Sequence, residues 1–254
     1  MRSTLPFALD PVVDDHLKSA NGDRLRLVPG DRNWVIRFIA PRQYEVYPEL
    51  LAQTRSVHDG LGDFGIRLPP RAYVEVEEEA EAGRAMLVIA ARVAGESLLS
   101  AVVKSDEARK AAEAVVIDTL RYYAHHFVAR TPYFSDVHIG QFMWGTHLHS
   151  PTPGAWMIDL DAGASHLPVD PDARQIALLH WWIGETATSV IEIESRTGEP
   201  VQHYRRLLDE IGAGPVFAHP SAAGRADRMR EALAAGQAFD ANEEWLQPIF
   251  ASLG

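Results

Sequence analysis

Asp136-Val137-His138-Ile139-Gly140-Gln141-Phe142-Met143, followed after a loop by Trp156-Met157-Ile158-Asp159-Leu160-Asp161, carries most of the chemistry this chain displays. Each acidic residue borders a strand-like apolar segment, where an unpaired carboxylate is expensive. The intervening residues are rich in His, Ser, Pro and Gly and predict a hairpin. Carboxylates at the two ends of one hairpin can converge on a divalent cation or a proton, and the amide of Gln141 adds a neutral oxygen. Hard Mg²⁺ accepts a few protein oxygens and completes its octahedron with water and substrate phosphates. Phosphoryl transfer uses the same equipment: one carboxylate to orient the attacking hydroxyl, and a carboxylate and an amide to hold metal.

Working outward, the first third of the chain predicts strands. Arg24–Val28 alternates basic and apolar residues, and Pro29-Gly30-Asp31-Arg32 follows as a turn. Asn33–Ala40 is apolar enough for a buried strand, and Gln43–His58 has helix-like apolar spacing, with Pro48 inside it and Gly60 and Gly62 after it. Arg71–Glu79 alternates again, and its glutamates suit an edge strand with a solvated face. After a turn at Ala82-Gly83, Arg84–Val93 is a continuous apolar run expected to be a central strand, and Val93–Leu98 is expected to be a hinge. Beyond it the character changes. Ser105–Val128 predicts a long helix capped by Ser105 or Asp106. The hairpin follows, and then helices over Asp172–Thr197, Pro200–Ile211, Ser221–Ala235 and Asn242–Leu253. Strands plus one helix, then a helical remainder, imply an α+β bilobed chain: a small strand-rich lobe over 1–94 and a larger helical lobe over 95–254.

In this order the two acidic motifs resemble the catalytic loop and metal-binding motif of the aminoglycoside phosphotransferase-like branch of the protein kinase-like fold. That branch shows Asp-x-His-x-x-Asn, a short hairpin, then Ile-Asp with a second acidic residue two positions on. Asp136, His138 and Gly140 fit the first motif, with Gln141 at the usual Asn position; Ile158-Asp159-Leu160-Asp161 fits the second. Leu87–Leu98 is similar to the family's fifth strand and hinge, Arg109–Phe127 to its long helix, and Val35-Ile36-Arg37-Phe38 to its third strand. The resemblance spans roughly residues 10 to 165. It implies ATP or GTP as phosphoryl donor, Asp136 as the catalytic base or orienting residue, and Gln141, Asp159 and Asp161 as Mg²⁺ ligands. The expected acceptor is a hydroxyl on a small molecule, a cationic one being the first candidate.

The chain also departs from the family pattern. Arg37 stands where the phosphate-pairing Lys normally lies; it keeps the charge on a bulkier, planar group. Gln141 lengthens the metal-ligand arm by one methylene, Ser135 replaces a common Gly, and the segment around Lys18-Ser19-Ala20-Asn21-Gly22 has a single glycine. Only three lysines occur, so Lys18 is a candidate phosphate ligand reaching in from that loop. A helix carboxylate should pair with the strand cation; Glu45 and Glu49 lie one turn apart, and Glu49 is preferred. These departures sustain an alternative, a catalytically weak pseudokinase-like protein that binds nucleotide or a partner.

Composition sets the remaining bounds. Twenty-four Lys and Arg against 35 Asp and Glu give a net charge of −11, which disfavours nonspecific nucleic-acid binding. No cysteine is present, which removes disulfides, thiolate ligands and a Cys nucleophile. No apolar run approaches the roughly 18 residues of a membrane span, and Met1–Asp10 has no secretory pattern. A cytoplasmic protein without membrane partners is expected, in an oligomeric state that the sequence does not specify. Neither Gly-x-Gly-x-x-Gly nor a phosphate-loop motif nor a nucleophile elbow occurs. His147 and His149 lack a third ligand at zinc-site spacing, and His138 is read as a brace for the catalytic loop. His180-Trp181-Trp182 is read as helix core.

Overall fold

The computed structural model describes residues 25–28, 30–39, 49–78, 83–129, 131, 133–134, 137–159, 186–202 and 206. Among them are two antiparallel sheets with helices. Strands β1 (Leu25–Val28), β2 (Asp31–Ile39), β3 (Arg71–Glu78) and β4 (Gly83–Ala91) form the first sheet in the order β1-β2-β4-β3. Strands β5 (Ala94–Ser97), β6 (Phe142–His147) and β7 (Ser150–Met157) form the second in chain order. The helices are α1 (Leu50–Gly62), α2 (Leu98–Ala101), α3 (Asp106–Ala129) and α4 (Thr186–Thr197), with a 3-10 turn at Ile139–Gln141.

The apolar run predicted as a central strand becomes β4, and its period of two sorts side chains between two cores. Met86, Val88 and Ala90 join Ile39 on one face, against Leu51 of α1 and Leu68. Leu87 joins Ile36 and Val28 on the other face. Register places Arg37 and Tyr73 both opposite Val88, so all three share the face that carries Ile39. A guanidinium is thereby planted on a buried surface, where it requires a counter-charge. The glutamate-rich strand β3 lies at the sheet edge.

Helix α1 presents Thr54, Val57, His58 and Leu61 as its buried stripe, spaced i, i+3, i+4, i+7. The largest core gathers Val57 and Leu61 with Ala108, Ala112, Val116 and Leu120 of α3, Phe142 and Met157 of the hairpin, and Val190 and Ile193 of α4. Ser105 caps α3 as expected, its hydroxyl accepting from the Ala108 amide at 3.2 Å.

Two expectations need correction, and a third falls largely outside the described residues. The described helix α1 begins at Leu50 and continues through Gly60 to Gly62; Glu49 is its N-cap rather than an interior residue. The stretch expected to be a hinge, Val93–Leu98, contains β5, which pairs with β6, and runs directly into α2. The pairing depends on glycine. Gly95 lies opposite Gly145, and a Cβ on Gly95 would stand 2.1 Å from the Trp144 carbonyl oxygen. The long helix expected over Asp172–Thr197 is described only from Thr186, and the later predicted helices lie almost wholly outside the described residues.

Candidate functional site

Arg37 and Asp159 are 122 residues apart in sequence and meet at 2.5 Å, Nη1 donating to Oδ1. β2 presents the first on its buried face, and the chain leaving β7 presents the second. Both side chains are 14% exposed. At this burial solvent screens the pair far less than it would at the surface.

Backbone hydrogen bonds fix the approach to Asp159 from two sides. The Met157 amide donates to the Arg67 carbonyl at 2.8 Å, and the Ile158 amide donates to the Gln141 carbonyl at 2.9 Å. The second bond closes the hairpin base one residue beyond the Phe142–Met157 pair. Gln141 thus lies across from Ile158 and beside the position of Asp159. Both residues therefore lie at one end of the hairpin.

The segment leading into this turn is pinned at several points. The Phe134 amide donates to the Tyr122 hydroxyl at 2.5 Å, and the Val137 amide to the Tyr123 hydroxyl at 2.8 Å. Both tyrosines project from α3 and are fully buried. Burial pushes the Tyr122 hydroxyl far above the ordinary phenol range, so it remains protonated. His138 accepts from the Gly140 amide through Nδ1 at 3.1 Å and caps the 3-10 turn. The Ile139 amide reaches the Ser189 hydroxyl of α4 at 3.2 Å. His138 therefore braces the loop, while Tyr122, Tyr123 and Ser189, which the sequence reading does not single out, anchor its backbone. The adjacent tyrosines were the available signal, because a buried phenol hydroxyl requires a partner.

Of the other named residues, Lys18, Asp136, Asp161 and Glu45 lie outside the described residues. Asp136 falls between Phe134 and Val137, whose amides are both anchored. Glu49 is exposed at the start of α1 and makes no side-chain capping bond, and Arg37 pairs with Asp159. His147 is buried against Trp156, ring centroids 4.4 Å apart, and burial lowers its pKa. Among the described residues no group of three or more His, Asp or Glu side chains could hold a metal on its own. Asp159 and Gln141 each carry a hard side-chain oxygen, the donor type that Mg²⁺ takes. No protein-family model matches the sequence, and neither does any curated protein.

Proposed function

We propose that the chain is a phosphotransferase of bilobed, protein kinase-like fold that moves the γ-phosphoryl group of ATP or GTP to a hydroxyl of a small molecule. The observation that carries this reading is the meeting of Arg37 and Asp159, a strand cation and the carboxylate after the hairpin, with Gln141 across the hairpin base. On this reading Gln141 and Asp159 hold Mg²⁺, with Asp161 as a further ligand. The metal, when bound, neutralises charge on the phosphate oxygens. Arg37 pairs with nucleotide phosphates, with Glu49 and Lys18 as supporting groups. Asp136 orients the acceptor hydroxyl and takes its proton. A cationic acceptor such as an amino sugar heads the candidates, given the net charge of −11.

The deciding experiment is titration with ATP and GTP, with and without Mg²⁺, followed by an acceptor panel. Mg²⁺-dependent nucleotide binding that Asp159→Ala abolishes, together with acceptor phosphorylation that Asp136→Ala abolishes, would support the reading. Nucleotide binding indifferent to Asp159→Ala, with no turnover on any acceptor, would end it.

A second reading is favoured by one feature of the same site. The Asp159 carboxylate is already engaged by the Arg37 guanidinium, an arrangement that suits a nucleotide- or partner-binding protein without turnover. Under that reading Arg37→Lys creates no activity and Asp136→Ala leaves cellular function intact. Loss of cellular function in a well-folded Asp136→Ala variant would favour the enzyme.

A further inference from the structure

Arg67 stands where two cavities adjoin, neither of them lined by Arg37 or Asp159. The larger, about 560 Å³, lies between the end of α1, the loop to β3 and the outer face of β7, with His58, Asp59, Ile66, Leu68, Arg71 and Trp156 among its walls. The smaller, about 260 Å³, continues past Gly65 and Arg67 toward Trp144 and Asp118.

The larger cavity contains a preformed cationic wall. Arg71 donates through Nε to the Tyr73 hydroxyl at 2.6 Å and through Nη2 to Asp59 at 2.7 Å. Its side chain is only 16% exposed. The same hydroxyl lies 2.7 Å from Nδ1 of the fully buried His58. Burial raises the Tyr73 pKa, so this hydrogen-bonded brace persists at neutral pH. Arg71 is thus held in place through Nε and Nη2, with no bond from Nη1 among the described residues, and the acid on this wall, Asp59, is already committed to it.

Arg67 supplies the second charge. In a chain of net charge −11 it is exposed and makes no ion pair among the described residues, whereas Arg37, Arg71, Arg109 and Arg121 all do. A Cβ built on Gly154 would stand 3.6 Å from Arg67 Nη1 and 3.3 Å from Trp156 Nε1, so guanidinium and indole flank the same glycine. The indole is fixed by its own bond to the Gly145 carbonyl at 3.1 Å. Ile66 and Leu68 complete an apolar side.

We propose that this cavity binds a small organic anion, its carboxylate or phosphate held by Arg67 and Arg71 and its ring-sized apolar body lying against Trp156, Ile66 and Leu68. The volume falls within the range of small-molecule sites, roughly 300–1,000 Å³. Arginine favours oxyanions because its planar fork matches their geometry. The proposal is independent of the phosphotransferase reading, since neither Arg37 nor Asp159 borders the cavity.

The test is calorimetric titration of the full chain with benzoate and with phenyl phosphate, using benzyl alcohol and inorganic phosphate as controls. One or both aromatic anions should bind at least about tenfold more tightly than either control, because each control lacks half of the recognised chemistry. The relative strength of the two anions identifies the preferred head group. Arg67→Gln should weaken binding about tenfold with unchanged thermal stability, and Arg67→Lys should restore part of it. The proposal is overturned if neither anion binds, if benzyl alcohol binds as tightly as they do, or if Arg67→Gln binds like the wild type.

Discussion

Arg37 Nη1 and Asp159 Oδ1 lie 2.5 Å apart, tying the second strand of the first sheet to the chain leaving the second. Neither group can rehydrate fully if the other is removed. Asp159→Asn keeps the shape but removes a counter-charge from a partly buried cation, so it should destabilise the fold by about 2 kcal/mol, below the cost for a wholly buried pair. The double variant with Arg37→Gln should recover part of that loss. Urea unfolding of all four proteins gives the coupling directly, and strictly additive losses would show that the pair is energetically idle.

Tyr123→Phe removes the hydroxyl that accepts from the Val137 amide. The amide is then buried without that partner, at a cost of about 1–3 kcal/mol in unfolding free energy. If Asp136 orients an acceptor, kcat should fall about tenfold or more while nucleotide affinity stays constant, because misplacing a reacting group penalises chemistry more than binding. Equal losses in kcat and nucleotide affinity would contradict a role confined to this loop.

His126 should make the fold sensitive to acid. Burial first, and then the neighbouring His125, lower its pKa to about 4 from an ordinary value near 6.5. Between those values the unfolded chain binds a proton that the folded chain refuses, so stability rises with pH in that window and falls on acidification. Above pH 6.5 both states are neutral and the effect vanishes. The loss should be about 1–2 kcal/mol, reduced from the full linkage value by partial exposure. In His126→Gln the slope between pH 6.5 and 4 should flatten, as measured by denaturant unfolding at several pH values.

Gly95→Ala should be among the most damaging single-methyl additions in the chain. The new Cβ would sit 2.1 Å from the Trp144 carbonyl oxygen and 2.7 Å from the Gly145 Cα, both backbone atoms that cannot swing aside. Gly65→Ala combines a φ of +86° with a contact 2.6 Å from Asp118 Oδ2, but a side-chain carboxylate can rotate away. Losses of about 3 kcal/mol for the first and about 1–2 kcal/mol for the second are expected from thermal unfolding. A reversed order would mean that the β5–β6 pairing yields more easily than the geometry implies.

What could be read from the sequence follows from how local each signal is. β4 announces itself through a continuous apolar run and α3 through its length and helical periodicity, and the Ser105 cap sits where its chemistry places it. β5 has no such signal. Ala94-Gly95-Glu96-Ser97 carries no apolar alternation, and what makes it a strand is the close approach of Gly145 from fifty residues away. The same distinction holds at the site. Arg37, Gln141 and Asp159 stood out individually by residue type and position, whereas the pairing of Arg37 with Asp159 depends on how two sheets face each other. Tyr122, Tyr123 and Ser189 were harder still, because aromatic and hydroxyl residues on helices usually report packing alone.

Successive amides along a strand point to opposite edges, and Met157 and Ile158 direct theirs to different carbonyls, those of Arg67 and Gln141. The chain therefore reaches Asp159 like a beam clamped at both walls just short of its free end. Swivel upstream of the carboxylate is suppressed, leaving the torsions of residue 159 itself and whatever follows it. A change of partner at this carboxylate, from guanidinium to any other, is then a local rotation that needs no rearrangement of the strand beneath.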